Sequence, residues 1–140
     1  MTKLFSLLLL PLFLSAFSWD YTHDFILKKD KVAVVEVVKR EDRSKRVLTM
    51  RWTLFQNERL VLLINYDGFP TQYIIQKKYK RNSIKIALRD DYYEGSKRAI
   101  MIVTFKEFDE AKKTAHLKAS ISDPKKRVEI RFIDSEKDKG

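Results

Sequence analysis

From Val32 to Phe132, apolar and polar residues alternate with period two, and this pattern limits the chain to β-structure more than any other feature does. Leu48, Met50, Trp52 and Leu54 share one face of a segment, with Thr49, Arg51 and Thr53 on the other. Ile84, Ile86 and Leu88 alternate with Ser83, Lys85, Ala87 and Arg89. Ala115, Leu117, Ala119 and Ile121 alternate with His116, Lys118 and Ser120, and Val128, Ile130 and Phe132 alternate with Glu129 and Arg131. β-Branched and aromatic residues are frequent in these runs, as half-buried strands prefer.

Turn chemistry divides the pattern. Asp67-Gly68 before Pro70 is the clearest break, because glycine takes positive φ freely and proline fixes its own φ. Asp123-Pro124 is the second. Short charged links supply the rest: 41–44, 57–58, 80–81 and 109–112. The pattern predicts eight strands, near 32–39, 45–56, 59–66, 71–79, 82–89, 98–107, 113–121 and 126–133. A single helical turn fits between Asp109 and Lys113. Short links favour antiparallel neighbours. The expected fold is therefore all-β: one domain over 19–133, an antiparallel up-and-down meander of about eight strands, closed as a small barrel or folded as a sandwich. Residues 134–140 lack an apolar anchor and read as a solvated tail. An outer-membrane barrel needs a lipid-facing apolar belt, and Lys85, Arg89, Lys106, Lys118 and Arg131 on the polar face argue against it.

The N-terminus carries a different signal. Met1-Thr2-Lys3 precedes an apolar stretch from Leu4 to Phe17, with small residues at Ala16 and Ser18. This is the layout of a secretory signal peptide over 1–18, with cleavage before Trp19. The stretch falls short of the roughly 20 residues a membrane-crossing helix needs, and Pro11 interrupts it. No transmembrane segment is therefore expected in the mature chain. Cysteine is absent, which excludes disulfides, thiolate metal sites and thiol chemistry. No Asn-x-Ser/Thr acceptor is present either. Export without either feature points to a bacterial periplasm, with secretion as the alternative.

Two groups of residues stand out as binding candidates. In an up-and-down meander, alternate loops share an end, so the loops at 41–44, 67–70, 90–97 and 122–125 come together. They bring Tyr66, Asp67 and Phe69 near Asp91, Tyr92 and Tyr93, aromatics beside acids, suited to a small apolar or sugar-like ligand or an envelope protein partner. The same residues also serve to plug a barrel end. The second group is Lys77, Lys78, Lys80, Arg81, Lys85 and Arg89, a run free of acids in a chain of formal net charge +10. A hairpin turning near Lys80 places much of this run, with Gln76, on one polar face, which attracts anionic envelope polymers. Lysines on a solvated face also block edge pairing. Export takes the chain away from nucleic acid, so nucleic acid is not the expected partner.

Catalytic chemistry has little to build on. No Gly-x-Ser-x-Gly and no glycine-rich phosphate loop occurs. Asp90, Asp91 and Glu94 form an acidic cluster without calcium-loop spacing. His23 lies in the lead-in and His116 on a polar strand face. No metal site and no cofactor is expected. The sequence reading is an exported, non-catalytic binding or interaction module. Its alternatives are electrostatic association through the 76–89 face, a small carboxylate-based hydrolase, and a structural subunit whose exposed sheet edge pairs with another chain.

Overall fold

The computed structural model describes residues 19–88 and 98–134. The signal-peptide segment 1–18, the segment 89–97 and the tail from 135 lie outside the described residues.

The described residues are all-β, with nine strands among them in two antiparallel sheets. They are β1 (Tyr21–Lys28), β2 (Ala33–Lys39), β3 (Lys45–Gln56), β4 (Arg59–Tyr66), β5 (Phe69–Gln76), β6 (Ser83–Ala87), β7 (Ile100–Asp109), β8 (Thr114–Ser122) and β9 (Val128–Ile133). One sheet has the order β1-β8-β7-β6, the other β5-β4-β3-β2-β9. From β2 to β8 the chain meanders, each strand pairing with its neighbour except where β5 hands over to β6 in the other sheet. β1 and β9 leave the meander: β1 pairs with β8 and β9 with β2.

β1 is the strand the alternation pattern does not announce. Its inward residues are Phe25 and Leu27, both buried. His23 and Asp24 break the apolar rhythm, and Ile26 faces outward, 58% exposed. The other departure is at β5. The expected strand 71–79 stops at Gln76, and Lys78–Lys80 form a 3-10 turn that ends with Lys80 at φ 54°. That turn carries the chain from one sheet to the other, so no flat hairpin forms around Lys80. No helical turn forms at 109–113, which is a plain turn.

The two sheets close over one apolar layer. Val35, Val37, Leu48, Leu60, Leu62 and Ile75 of one sheet face Phe25, Met101, Val103, Phe105, Leu117 and Ile121 of the other, all essentially buried. Each such side chain contributes about 1.5–3 kcal/mol on leaving water. These side chains fill the space between the sheets. At one seam, β1 meets β9: His23 stacks on Phe132 with ring centroids 4.9 Å apart, and the Tyr21 hydroxyl donates to the Val128 carbonyl at 3.2 Å. At the other, β5 meets β6.

Candidate functional site

The turns group at two ends, as a meander requires. At the first end, the turns after β2, β4 and β8 lie together. Arg40 N–H donates to the Arg127 carbonyl at 2.9 Å, and Asp67 N–H to the Val47 carbonyl at 3.1 Å. Asp123 is 2% exposed, and its carboxylate accepts from the Arg127 and Val128 amides at 3.1 and 3.0 Å. Asp123 N–H in turn donates to the Asp20 carboxylate at 2.6 Å. Asp67 and Gly68 take φ values of 51° and 86°, the double positive φ of a tight two-residue hairpin, and Asn65 Oδ1 accepts the Gly68 amide at 3.0 Å. In the turn after β2, Asp42 accepts both the hydroxyl and the amide of Ser44, and those bonds hold its carboxyl below its usual range.

Three of the expected site residues do meet at this end. Tyr66, Asp67 and Phe69 line a cleft of 290 Å³ with Arg46, Tyr73 and Ile86. The Tyr66 hydroxyl donates to the Leu88 carbonyl across the β5–β6 seam. Asp67 lies 3.8 Å from Arg46, and Phe69 is 77% exposed. Asp91, Tyr92 and Tyr93, like the acids Asp90 and Glu94, lie outside the described residues.

The larger cleft, 730 Å³, is at the opposite end, where the turns 29–32, 57–58 and 110–113 and the β5–β6 connection converge. Its floor is aromatic: Trp52, Phe55, Phe105 and Phe108. Phe55 and Phe108 stack face to face, centroids 4.0 Å apart and planes 15° apart. Trp52 meets the edge of Phe108 at 5.4 Å, and Phe55 stands edge-on to Phe105 at 6.0 Å. Trp52 is fixed in turn, its indole N–H donating to the Leu27 carbonyl at 2.7 Å.

Two β-bulges build this floor. The β3–β4 register shifts between Trp52 and Leu54, leaving Thr53 without a partner across the ladder. The β7–β8 register shifts between Phe105 and Glu107, leaving Lys106 without one. Each extra residue reverses the side-chain parity beyond it. Strict alternation puts Leu54 on the face of Trp52, as the sequence reading has it. The bulge instead turns Leu54 out, 48% exposed, and brings Phe55 in. The same step on β7 carries the inward face from Phe105 to Phe108. The two bulges face each other from opposite sheets, so Phe55 and Phe108 come into contact. The sequence signal for both is a break in alternation, Trp52-Thr53-Leu54-Phe55 and Phe105-Lys106-Glu107-Phe108, with aromatics spaced by three instead of two.

The rim of this cleft carries Lys29, Lys77, Lys113, Glu58, Glu107 and Glu110. Lys113 pairs with Glu110 at 3.0 Å, and Glu58 pairs with Lys78 at 3.4 Å. The described residues of the expected basic face take different settings. Lys77 goes to the cleft rim and Lys78 to Glu58, Lys80 and Arg81 are exposed at the 3-10 turn, and Lys85 projects from β6. Arg89 lies outside the described residues.

The two histidines form pairs the sequence does not signal. His116 Nε2 lies 2.8 Å from Asp24 Oδ1, a bond that holds the Asp24 carboxyl below its usual range. His23 Nε2 lies 2.9 Å from Asp134 Oδ1, so the first residue of the expected tail is tied to β1. Neither pair lines the aromatic cleft. Among the described residues, no three His, Asp or Glu side chains converge to hold a metal ion.

No family model matches the chain, and no curated protein and no solved structure matches it.

Proposed function

We propose that the chain is an exported, non-catalytic binding module of the bacterial envelope that holds a small ligand with an apolar or sugar-like body. The leader-like residues 1–18 support export. The observation that carries the binding reading is the pair of opposed β-bulges, which turn Phe55 and Phe108 into one stacked aromatic floor beneath a 730 Å³ cleft. Bulges collect where a strand must re-aim a side chain for function, and clefts of this volume suit small ligands. The side chains between the sheets form one buried apolar cluster, which favours a ligand position at the sheet ends. The mixed charge of the rim favours a body that is apolar or weakly polar, with polar groups at its periphery. Among the described residues, the expected aromatic end holds the smaller 290 Å³ cleft, a second position for a ligand.

A second reading is electrostatic association with anionic envelope polymers, favoured by exposed Lys80, Arg81 and Lys85 in a chain of net charge +10. Native mass spectrometry of the chain recovered from its own cells tests both. An added mass that persists at high salt, and is lost in Phe55→Ala and Phe108→Ala, is the expected result. A clean mass overturns the cleft reading. Association that collapses as salt rises, and that the phenylalanine variants leave unchanged, transfers the function to the cations.

A further inference from the structure

Among the described residues the sheets have four edge strands, and one of them differs from the rest. β1 carries Asp24 and Lys28, β6 carries Lys85, and β9 carries Glu129 and Arg131. β5 reads Phe-Pro-Thr-Gln-Tyr-Ile-Ile-Gln, with no charged side chain, in a chain that is 34% charged. Sheet edges are commonly guarded by lysine, by inward charge or by a covering element. Here the guard is reduced to Pro70, which lacks an N–H.

The two seams show the same contrast. Between β1 and β9, the His23–Phe132 stack, the His23–Asp134 pair and the Tyr21 hydroxyl close the gap. Between β5 and β6, the Tyr66 hydroxyl reaches the Leu88 carbonyl at one end, and among the described residues the backbone joins at the other, through Gln76 N–H to the Arg81 carbonyl at 3.1 Å. That bond fixes the parity of the whole strand. In an antiparallel pair, alternate residues turn both backbone groups away from the partner. Gln76 turns away from β4, and so do Gln72 and Ile74. Among the described residues, no strand pairs with this side of β5.

Large apolar side chains stand exposed beside this edge. Phe69 and Ile74 are 77% and 60% exposed. Ile74 lies in register with Val61 and Leu54, a row that crosses the outer face of the sheet and ends at the edge. A second outer depression, 450 Å³, is lined by Val32, Leu63, Pro70 and Gln72, so it too opens beside β5.

From these features we infer that β5 is the docking edge for a second copy of this chain, joined by antiparallel strand addition. The edge is complementary to itself. Gln72 and Ile74 bracket Tyr73, so a two-fold axis at Tyr73 sets Gln72 of one copy opposite Ile74 of the other, and each pair exchanges its N–H and C=O groups. Ile74 then becomes a diagonal neighbour of Ile74 of the second copy, within reach on the outer face. Charge favours this edge as well. Two chains of net charge +10 repel, and β5 is the one described edge strand that brings no charged side chain into the contact. A single strand pair is a small interface of the weak, transient kind, so the dimer is expected at micromolar concentrations and above.

Analytical ultracentrifugation of the chain as expressed, from low micromolar to several hundred micromolar, reads the association directly. The expected result is a monomer–dimer equilibrium weakened at least tenfold by Ile74→Lys and by Gln72→Pro. The N–H that the proline removes points away from β4, and an edge strand accepts proline at such a position, so circular dichroism should show an unchanged fold. Hydrogen exchange of the wild-type chain gives a readout that needs no variant: the Gln72 and Ile74 amides become protected as concentration rises. A monomer throughout overturns the inference, and so does a dimer that both variants leave intact. A chain that stays monomeric but captures an extended peptide of different sequence at Ile74 also overturns it, and makes the edge a site for a foreign strand.

Discussion

The two ends of the molecule solve the same problem, how to finish a β-sandwich, by different chemistry. The end around Asp123 is finished by polar groups: a buried carboxylate takes two amides, Asp20 takes a third, and Asn65 and Asp42 each close their own turn. The end around Trp52 is finished by rings, with two bulges spent on bringing Phe55 against Phe108. Hydrogen-bonded turns satisfy the backbone and leave the nearer cleft at 290 Å³, whereas re-aimed aromatics leave one of 730 Å³. The polar end is thus built for stability, and the aromatic end keeps apolar surface accessible.

The largest effect that sharpens this contrast is at Asp123. Asp123→Ala removes the acceptor for two backbone amides, one of them on fully buried Val128. Bonds to a charged acceptor are stronger than neutral ones, and a buried amide left unpaired costs more than the lost bond. The expected loss is about 3 kcal/mol in urea unfolding, with no loss of ligand retention at the cleft beyond that due to unfolding. Phe108→Ala should show the reverse. Half-buried Phe108 leaves its stacked partner with one face open, so about 1–2 kcal/mol is expected, together with loss of the retained ligand. If Asp123→Ala empties the cleft in the folded state, or Phe108→Ala leaves it loaded, the division of labour between the ends is broken.

Deleting Thr53 is a gentler test of the same end. Pairing on either side of the bulge is Trp52 with Leu62 and Leu54 with Val61, so removing Thr53 yields an unbroken ladder with Leu54 still outward and Phe55 still inward. The fold should survive with a stability change of about 1 kcal/mol or less, because the apolar pattern is kept. What should change is the local strand twist, and with it the Phe55–Phe108 contact. Ligand retention should fall while the urea midpoint barely moves.

These elements also show what was legible in the sequence. The inward faces of β6, β8 and β9 follow the alternation at Ile86, Leu117 and Val128, and the hairpin at Asp67-Gly68 follows from the φ freedom of glycine. β1 was hidden because His23 belongs to a seam and Ile26 to the outside, so neither obeys the core rhythm. The β5–β6 handover was hidden because lysines around Lys78 suit a strand face and a 3-10 turn equally well. The aromatic cleft was hidden for a deeper reason. A bulge is one extra residue in an otherwise regular pattern, and its meaning depends on a second bulge in a strand about fifty positions away. Tyr66, Asp67 and Phe69 were visible as a cluster because turn chemistry is local; Trp52, Phe55, Phe105 and Phe108 form one only after the two sheets close.

The smallest expected effect concerns the join between β1 and β8, away from both ends. The hydrogen bond from His116 lowers the Asp24 carboxyl from its ordinary value of 3.8. A carboxyl lowered in the folded state stabilises that state above its unfolded value, and the contribution is lost as pH falls through the lowered folded value. The wild-type chain should therefore be slightly more stable than Asp24→Asn near neutral pH, and the two should draw together as pH falls below the ordinary value toward the lowered one. Because the Asp24 carboxylate is more than half exposed, the difference should be a small fraction of that at Asp123. Urea midpoints of the two chains between pH 7 and pH 3 measure it. A gap that stays constant across this range would mean that Asp24 acts only by its place on the strand, and a gap as large as that at Asp123 would make this join, rather than the polar end, the anchor of the fold.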